Sequence, residues 1–596
     1  MRRSSTPAAA SGAPDDTLAD LVGHLAATTP DLVLFERPVR GLREPVTAAQ
    51  WADEVARVAL GFAAAGVTAG DRVAIMSRTR YEWTLVDFAL WTMGAVPVPI
   101  YETSSAEQVE WILSDSAAVG VVVESASLAH LVADVRHACP QLRKVWTLDE
   151  GAVDDLAAAG ARGDVADLPQ LRAGVGRSSL ATLIYTSGTT GRPKGVELTH
   201  GNFLFDATSA VTALDALFEV ADASTLLFLP LAHVFARDIE IACVIAGVRV
   251  THCPDVKELA TELKAVRPSF VLAVPRVFEK IYNGAEQRAT AEGKGRIFAT
   301  AAQVAIEYSQ ALDHGTVSTG LRLRHALLDR LVYRKLREAM GGNVSWAISG
   351  GAALGARLGH FFRGIGVTVL EGYGLTESTA AATVNTPARQ RVGSVGRPLP
   401  GTEVAISDDG EVWLRGPHIM RGYWNNPHAG HAVVDPDGWF RTGDLGVLDD
   451  DGYLTITGRL KEILVTSGGK NVAPAVLEDR LRAHRLISQA MVVGDARPYV
   501  AALITLDPDA VPGWLDERGR SAADPRDLVD DPDIRATVGE AVAAANLAVS
   551  KAEAIKRFVV LPVDLTEHGG HLTPTLKMRR HAVANEFAAE IEALYS

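Results

Sequence analysis

Between residues 47 and 123 the chain alternates amphipathic helix patterns with short apolar runs, and this alternation restricts the fold more than any other feature. Thr47 stands as an N-cap before a stripe of Trp51, Val55, Val58 and Phe62, spaced three or four residues apart. An apolar run follows at Val73 to Met76, then a helix pattern from Trp83 to Trp91, then a strand-like run from Ala95 to Ile100. Ser105 and Gln108 make a capping box for the next helix, and Val119 to Val123 is again continuously apolar. Strands apolar on both faces need helices over both faces. The spacing therefore predicts an α/β fold, with parallel-rich sheets covered by helices.

At 596 residues the chain exceeds one ordinary core, so at least two domains are expected. The first 15 residues, rich in Ser, Ala and Pro, are expected to be disordered. The pattern changes character after Gly458: residues 16–458 read as a large N-terminal domain, and residues 459–596 as a smaller α+β C-terminal domain. Residues 149–178, rich in Ala, Gly and Asp, read as a surface excursion. Residues 285–340 read as long helices. Within them, Leu328, Leu331, Val332 and Leu336 form an apolar side beside Arg322, Arg324, Arg330, Arg334, Lys335 and Arg337. Such a helix packs its apolar side on a core, or lies on a membrane surface.

Lys and Arg number 58 against 72 Asp and Glu, a net charge of −14, which argues against a nucleic-acid partner. The three cysteines, Cys139, Cys243 and Cys253, form no CxxC or Cys/His cluster and fit a reducing cytoplasm. The N-terminus has no apolar core of a leader, and no run of about 18 apolar residues would span a bilayer. A cytoplasmic protein is expected, with peripheral contact at the inner membrane face left open, and with monomer and homodimer both open.

The sharpest local signal is Tyr185-Thr-Ser-Gly-Thr-Thr-Gly-Arg-Pro-Lys-Gly195, set between the apolar strands Leu180 to Ile184 and Val196 to Leu198. Thr186, Ser187, Gly188, Thr189, Thr190, Gly191 and Lys194 concentrate turning backbone amides, hydroxyl donors and one ammonium, a combination suited to polyphosphate. A P-loop would need Gly-Lys-Ser/Thr leading into a helix, but Lys194 lies between Pro193 and Gly195. Gly372-x-Gly374 and Gly364-x-Gly366 lack the third glycine of a dinucleotide fingerprint.

Further segments follow in chain order: Leu229-Pro-Leu-Ala-His233, Ser349-Gly-Gly-Ala352, Glu371-Gly-Tyr-Gly-Leu-Thr-Glu377, Trp439-Phe-Arg-Thr-Gly-Asp444, Gly458-Arg-Leu-Lys-Glu462 and Pro574-Thr-Leu-Lys577. With the Thr/Gly loop they resemble the adenylate-forming superfamily of acyl-CoA synthetases, luciferases and adenylation domains. Pro99-Ile-Tyr-Glu-Thr-Ser104, Val274-Pro-Arg-Val-Phe-Glu279 and the long helical insert resemble its long-chain fatty acyl-CoA synthetase branch.

The resemblance implies a distorted β-barrel subdomain in the large domain and a mobile C-terminal domain. It implies a fatty acid:CoA ligase that uses ATP, CoA and Mg²⁺ and passes through an acyl-adenylate. Gly350, Gly351, Ala352, Glu371, Gly372, Tyr373 and Gly374 would then shape the adenine site, with Tyr373 stacking on the base. Thr376 would bind the α-phosphate, and Glu377 with Thr189 would hold Mg²⁺. Asp444 and Arg459 would bind the ribose. His233 would lie near the acyl carboxylate, and Lys577 would reach the α-phosphate from the small domain. Lys461 would be the hinge, and Gly468, Gly469 and Lys470 would line a CoA tunnel. A fatty acyl-AMP ligase loading a carrier protein would share every ATP motif and is the alternative.

Overall fold

A computed structural model describes residues 2–8, 16–39, 41–186, 192–521, 524–567, 569–573 and 576–596. The expected helices and strands appear close to their predicted ends. Thr47 and Gln50 cap the helix Ala48–Ala64, and Ser105 and Gln108 cap the helix Ala106–Asp115. Strands Val96–Ile100, Arg72–Met76, Gly120–Val123 and Lys144–Thr147 lie side by side in a parallel sheet. The first and third are buried along their whole length, as a parallel sheet covered on both faces requires.

Among the described residues the largest sheet has nine strands. Its centre is parallel: Thr368–Tyr373, Trp346–Ser349, Phe270–Ala273, Ser224–Leu227, Arg249–His252 and Val33–Val39 are neighbours in that order. Antiparallel strands close both edges. A third sheet pairs Leu180–Thr186 with Lys194–Thr199, and the latter with Gly422–Tyr423. The barrel-like subdomain is an antiparallel half-barrel built on Glu403–Ile406, Glu411–Arg415, Phe440–Leu448 and Leu454–Arg459.

The C-terminal domain has its own core. Leu477, Leu481, Ile504, Trp514 and Val538 pack beside a small sheet of Ile487–Val493, Val500–Leu506 and Ile555–Val560. It meets the large domain through polar contacts, including Arg276 with Asp507 at 3.4 Å and Arg276 with Ser488 at 3.3 Å.

Three expectations need correcting. Arg2–Ser5, expected to be disordered, is an edge strand running antiparallel to Glu403–Ile406. Its ladder uses backbone groups alone, which composition does not reveal. The segment at residues 149–178 is no surface excursion: its helix Ala152–Gly160 packs backbone to backbone on Ala48–Ala64. A Cβ on Gly160 would lie 1.9 Å from the Arg57 carbonyl oxygen, and one on Gly61 2.1 Å from that of Leu156.

The basic helix is interrupted by a π-turn at Asp329–Tyr333 and carries two adjacent apolar stripes. Leu328, Val332 and Leu336 pack on the core, while Leu323, Leu327 and Leu331 are 69%, 60% and 54% exposed. Leu331 thus faces away from the side it was expected to share.

Candidate active site

Three parallel strands, Phe270–Ala273, Trp346–Ser349 and Thr368–Tyr373, end at one edge of the large sheet. Open α/β sheets bind ligands beyond the carboxyl ends of their strands. Here a cleft of about 1030 Å³ opens at that edge. Residues of the large domain and of the C-terminal domain line it together, among them Thr186, Lys194, His233, Tyr373, Glu377 and Lys577.

Thr186 and Lys194 face each other in register across the strand pair that carries the Thr/Gly loop. Ser187, Gly188, Thr189, Thr190 and Gly191 lie outside the described residues. The loop's far side is anchored, because Trp111 Nε1 donates to the Pro193 carbonyl at 2.8 Å. Lys194 Nζ sits 5.0 Å from the centroid of the Tyr423 ring.

Glycine is obligatory at position 374: a Cβ there would stand 1.5 Å from the Ala380 carbonyl oxygen. The chain folds back at that point into a tight turn, Thr376–Ser378, and then passes through positive φ at Thr379 (54°) and Ala380 (100°). Such backbone is held only where its surroundings over-determine it. Thr379 Oγ1 donates to the His418 carbonyl at 2.6 Å. Glu377 Oε1 accepts from the Tyr423 hydroxyl at 2.9 Å, and Oε2 has no donor among the described residues.

Asp444 is buried and lies opposite Arg459 in the half-barrel register. The Tyr373 hydroxyl donates to Asp444 Oδ2 at 2.7 Å, and Arg459 Nε donates to Oδ1 at 2.8 Å. Each carboxylate oxygen keeps a second lone pair for a ligand hydroxyl.

His233 caps the helix Val234–Ala246, accepting the Phe235 amide on Nδ1 at 3.2 Å. The ring hydrogen therefore sits on Nε2. Burial, reinforced by the positive charge of Lys577 across the cleft, pushes this imidazole down to about 3, so it is neutral at physiological pH. The Lys577 amide donates to Thr573 Oγ1 at 3.0 Å. Water reaches its side chain, yet protein encloses the cleft around it. That enclosure and the nearby Arg459 lower the ammonium's pKa, while Asp444, Glu377 and Glu462 oppose the shift.

Gly350, Gly351, Gly372, Gly374, Thr376, Arg459 and Lys461 also line the cleft. Ala352 is exposed to solvent. Glu371 differs from its expected place. Its side chain is buried and accepts the Leu354 amide at 3.0 Å, bracing the turn after Ser349 and standing apart from the cleft wall. Burial pushes this carboxyl up to about 7. Gly468, Gly469 and Lys470 stand apart from the cleft as well: they form a turn in which Lys470 pairs with Glu553 at 3.2 Å. Tyr423 and Arg579 also line the cleft and carry no spacing signal in the sequence.

Residues 24–424 match the family described as AMP-binding enzyme, and residues 461–596 match the AMP-binding enzyme C-terminal domain. The chain belongs to the AMP-binding enzyme family. Within that family it is 50% identical over 600 residues to "Long-chain-fatty-acid--CoA ligase FadD15" of Mycobacterium tuberculosis, covering 100% of both chains. The protein of the same name from Mycobacterium bovis matches equally well. Among solved structures, the anthranilate CoA ligase AuaEII in complex with anthranoyl-AMP superposes with a TM-score of 0.74 at 19% identity, covering 97% of this chain and 99% of that one. A Mycobacterium tuberculosis fatty acyl CoA synthetase gives 0.62 at 24% identity, covering 96% and 99%. These two likenesses bear on the fold. The α/β architecture of this AMP-binding enzyme, with its large N-terminal and smaller C-terminal domain, is the one expected from its sequence.

Proposed function

We propose that this AMP-binding enzyme is an AMP-forming long-chain fatty acid:CoA ligase. The observation that carries the reading is the convergence of Lys194 from the large domain and Lys577 from the C-terminal domain on one cleft beside Glu377 and neutral His233. Full-length identity of 50% to a protein named as such a ligase supports the same choice of substrate.

In the first half-reaction a fatty carboxylate oxygen bonds to the α-phosphorus of ATP and the bond to pyrophosphate breaks. Two anions must meet, and Lys194 and Lys577 offset their repulsion. Thr376 binds the α-phosphate, Tyr373 stacks on adenine, and Asp444 with Arg459 takes the ribose. His233 directs Nε2–H toward the acyl carboxylate; it is no base for this step, since a carboxylate needs none removed. Mg²⁺ fits the donor set: one carboxylate with an oxygen unpaired among the described residues, at the wall of an open cleft, suits an ion that prefers phosphate and water oxygens. Glu377 would hold it, with Thr189 as a second candidate, and when bound it supplies positive charge to the phosphates.

In the second half-reaction the CoA sulfur bonds to the acyl carbon, the thiol proton leaves, and the bond to AMP breaks. Lys577 occupies the place this step needs to clear. We place the domain boundary at Gly458 and Arg459 and the hinge at Lys461, which lies in the Leu460–Glu462 turn on the cleft wall. Rotation there withdraws Lys577 and brings Gly468, Gly469 and Lys470 toward the cleft, with water excluded on closure.

The outward stripe of Leu323, Leu327 and Leu331, flanked by exposed Arg322, Arg324, Arg330, Arg334 and Lys335, suits the surface of an anionic bilayer, from which a fatty acid would be drawn. No helix among the described residues is long and apolar enough to cross a membrane. The function is tested by AMP release in the presence of CoA across fatty acids of increasing length. CoA-dependent release that strengthens with chain length is expected. Adenylation without CoA consumption would replace this reading with transfer to a carrier protein.

A further inference from the structure

Two buried carboxylic side chains with no assigned role lie at the cleft wall and just behind it. Asp206 is on the helix His200–Ala213 and is 0% exposed; Asp238 is on Val234–Ala246, the helix that His233 caps, and is 1% exposed. The two carboxyl groups interact, and Asp206 Oδ1 and Asp238 Oδ1 are both buried with no donor among the described residues. One proton held between them would satisfy both oxygens and remove the repulsion of two buried charges. No cation among the described residues neutralises the pair: the adjacent Arg237 turns away to Asp87 and Thr182.

Among the described residues the pair has one hydrogen-bond donor. Asp206 Oδ2 accepts the Ala381 amide at 3.2 Å. Ala381 directly follows the two residues with positive φ, Thr379 and Ala380, and that stretch begins two residues after Glu377. Ala380, Ala381 and Asp238 all line the cleft. A chain of contacts thus runs from the His233 helix, through Asp238 and Asp206, to the turn that presents Thr376 and Glu377. Plain packing does not require it, because well-packed apolar residues replace buried charged or polar groups at little cost or with a gain.

We propose that Asp206 and Asp238 are positioning residues for adenylation: a carboxyl pair sharing one proton fixes the left-handed Thr379–Ala380 turn, and through it holds Thr376 and Glu377 in register with His233. Neither group touches substrate phosphate, so the effect falls on turnover more than on fatty-acid binding. The proposal rests on the adenylation reading above.

The test is labelled pyrophosphate exchange into ATP, with thermal melting as a check of folding. Asp206→Asn keeps an oxygen for the Ala381 amide and offers an N–H to Asp238. It is expected to stay within about threefold of wild type, a smaller effect than loss of one hydrogen bond. Asp206→Leu fills the space and loses both contacts. Its kcat for exchange is expected to fall roughly tenfold or more, with the fatty-acid KM changed less than about threefold. If the leucine variant does not fold, Asp206→Ser, a side chain one bond too short, carries the same expectation. A leucine or serine variant exchanging at the wild-type rate overturns the proposal. So does an asparagine variant that melts like wild type yet exchanges no better than serine. Absence of exchange in the wild-type enzyme would instead remove the adenylation reading itself.

Discussion

Tyr373 gives its hydroxyl hydrogen to Asp444 at 2.7 Å, joining the end of a parallel strand in the large sheet to the antiparallel half-barrel. The bond fixes the plane of the ring and aims the carboxylate, so one contact sets both the adenine and the ribose side of the nucleotide site.

Tyr373→Phe keeps the ring and removes the bond. A hydrogen bond to a charged group contributes about 1.5–3 kcal/mol, part of which Arg459 still supplies through the other oxygen. The KM for ATP is expected to rise about threefold to tenfold, with kcat changed less. Steady-state kinetics with varied ATP check this; an unchanged KM would show that the nucleotide does not use this pair.

Much of this arrangement was legible in the chain. The capping boxes at Thr47 and Ser105 needed only local chemistry, and both form. The doubly apolar runs at Val96–Ile100 and Gly120–Val123 could be satisfied only inside a covered sheet. Motif order likewise pointed to the residues that meet in the cleft. Glu371 was misread because a motif carries residue identity and not side-chain direction; the side chain turns back to Leu354. The Asp206–Asp238 contact joins two helices whose sequences show no spacing relation, so only tertiary packing could reveal it. The double stripe at Leu323–Leu336 follows helical periodicity on both sides, and periodicity alone does not say which side the core takes.

His418 supplies a pH prediction. It is fully buried, stacked on Phe205 with ring centroids 6.0 Å apart, and neither ring nitrogen has a hydrogen-bond partner among the described residues. Burial pushes it down to about 3, below the ordinary value of about 6.5 in an unfolded chain. Below that ordinary value the unfolded state takes up a proton that the folded state refuses. The stability this group contributes is therefore complete above about pH 6.5 and is lost as pH falls toward 3. Between pH 7 and 5 the loss is about 2 kcal/mol. Denaturant melts of His418→Leu at both pH values should show a fall smaller than wild type by about that amount; equal falls would contradict it.

The outward leucines predict a lipid contact. Replacing Leu323, Leu327 and Leu331 together by Ser should reduce co-sedimentation with vesicles containing an anionic phospholipid roughly tenfold or more, from lost apolar burial. Binding by wild type should also weaken as salt rises. Activity on fatty acid supplied in detergent should be unaffected. Equal sedimentation of the two proteins would remove this face as the lipid contact.

Lys461→Pro removes the rotation expected at the Leu460–Glu462 turn. Pyrophosphate exchange should persist, because the starting arrangement already has Lys577 in the cleft. Thioester formation should fall about tenfold or more, a change of one barrier step of 1.36 kcal/mol or greater. An intact second half-reaction would move the hinge elsewhere.

The ammonium of Lys577 is the test case for the whole account, and Lys577→Ala is best assayed on each half-reaction separately. Pyrophosphate exchange should drop on the order of 10²–10³-fold, the loss typical of one preorganised charge. Conversion of supplied acyl-AMP and CoA to thioester should stay close to wild type. A parallel drop in both half-reactions, or in neither, would contradict the account.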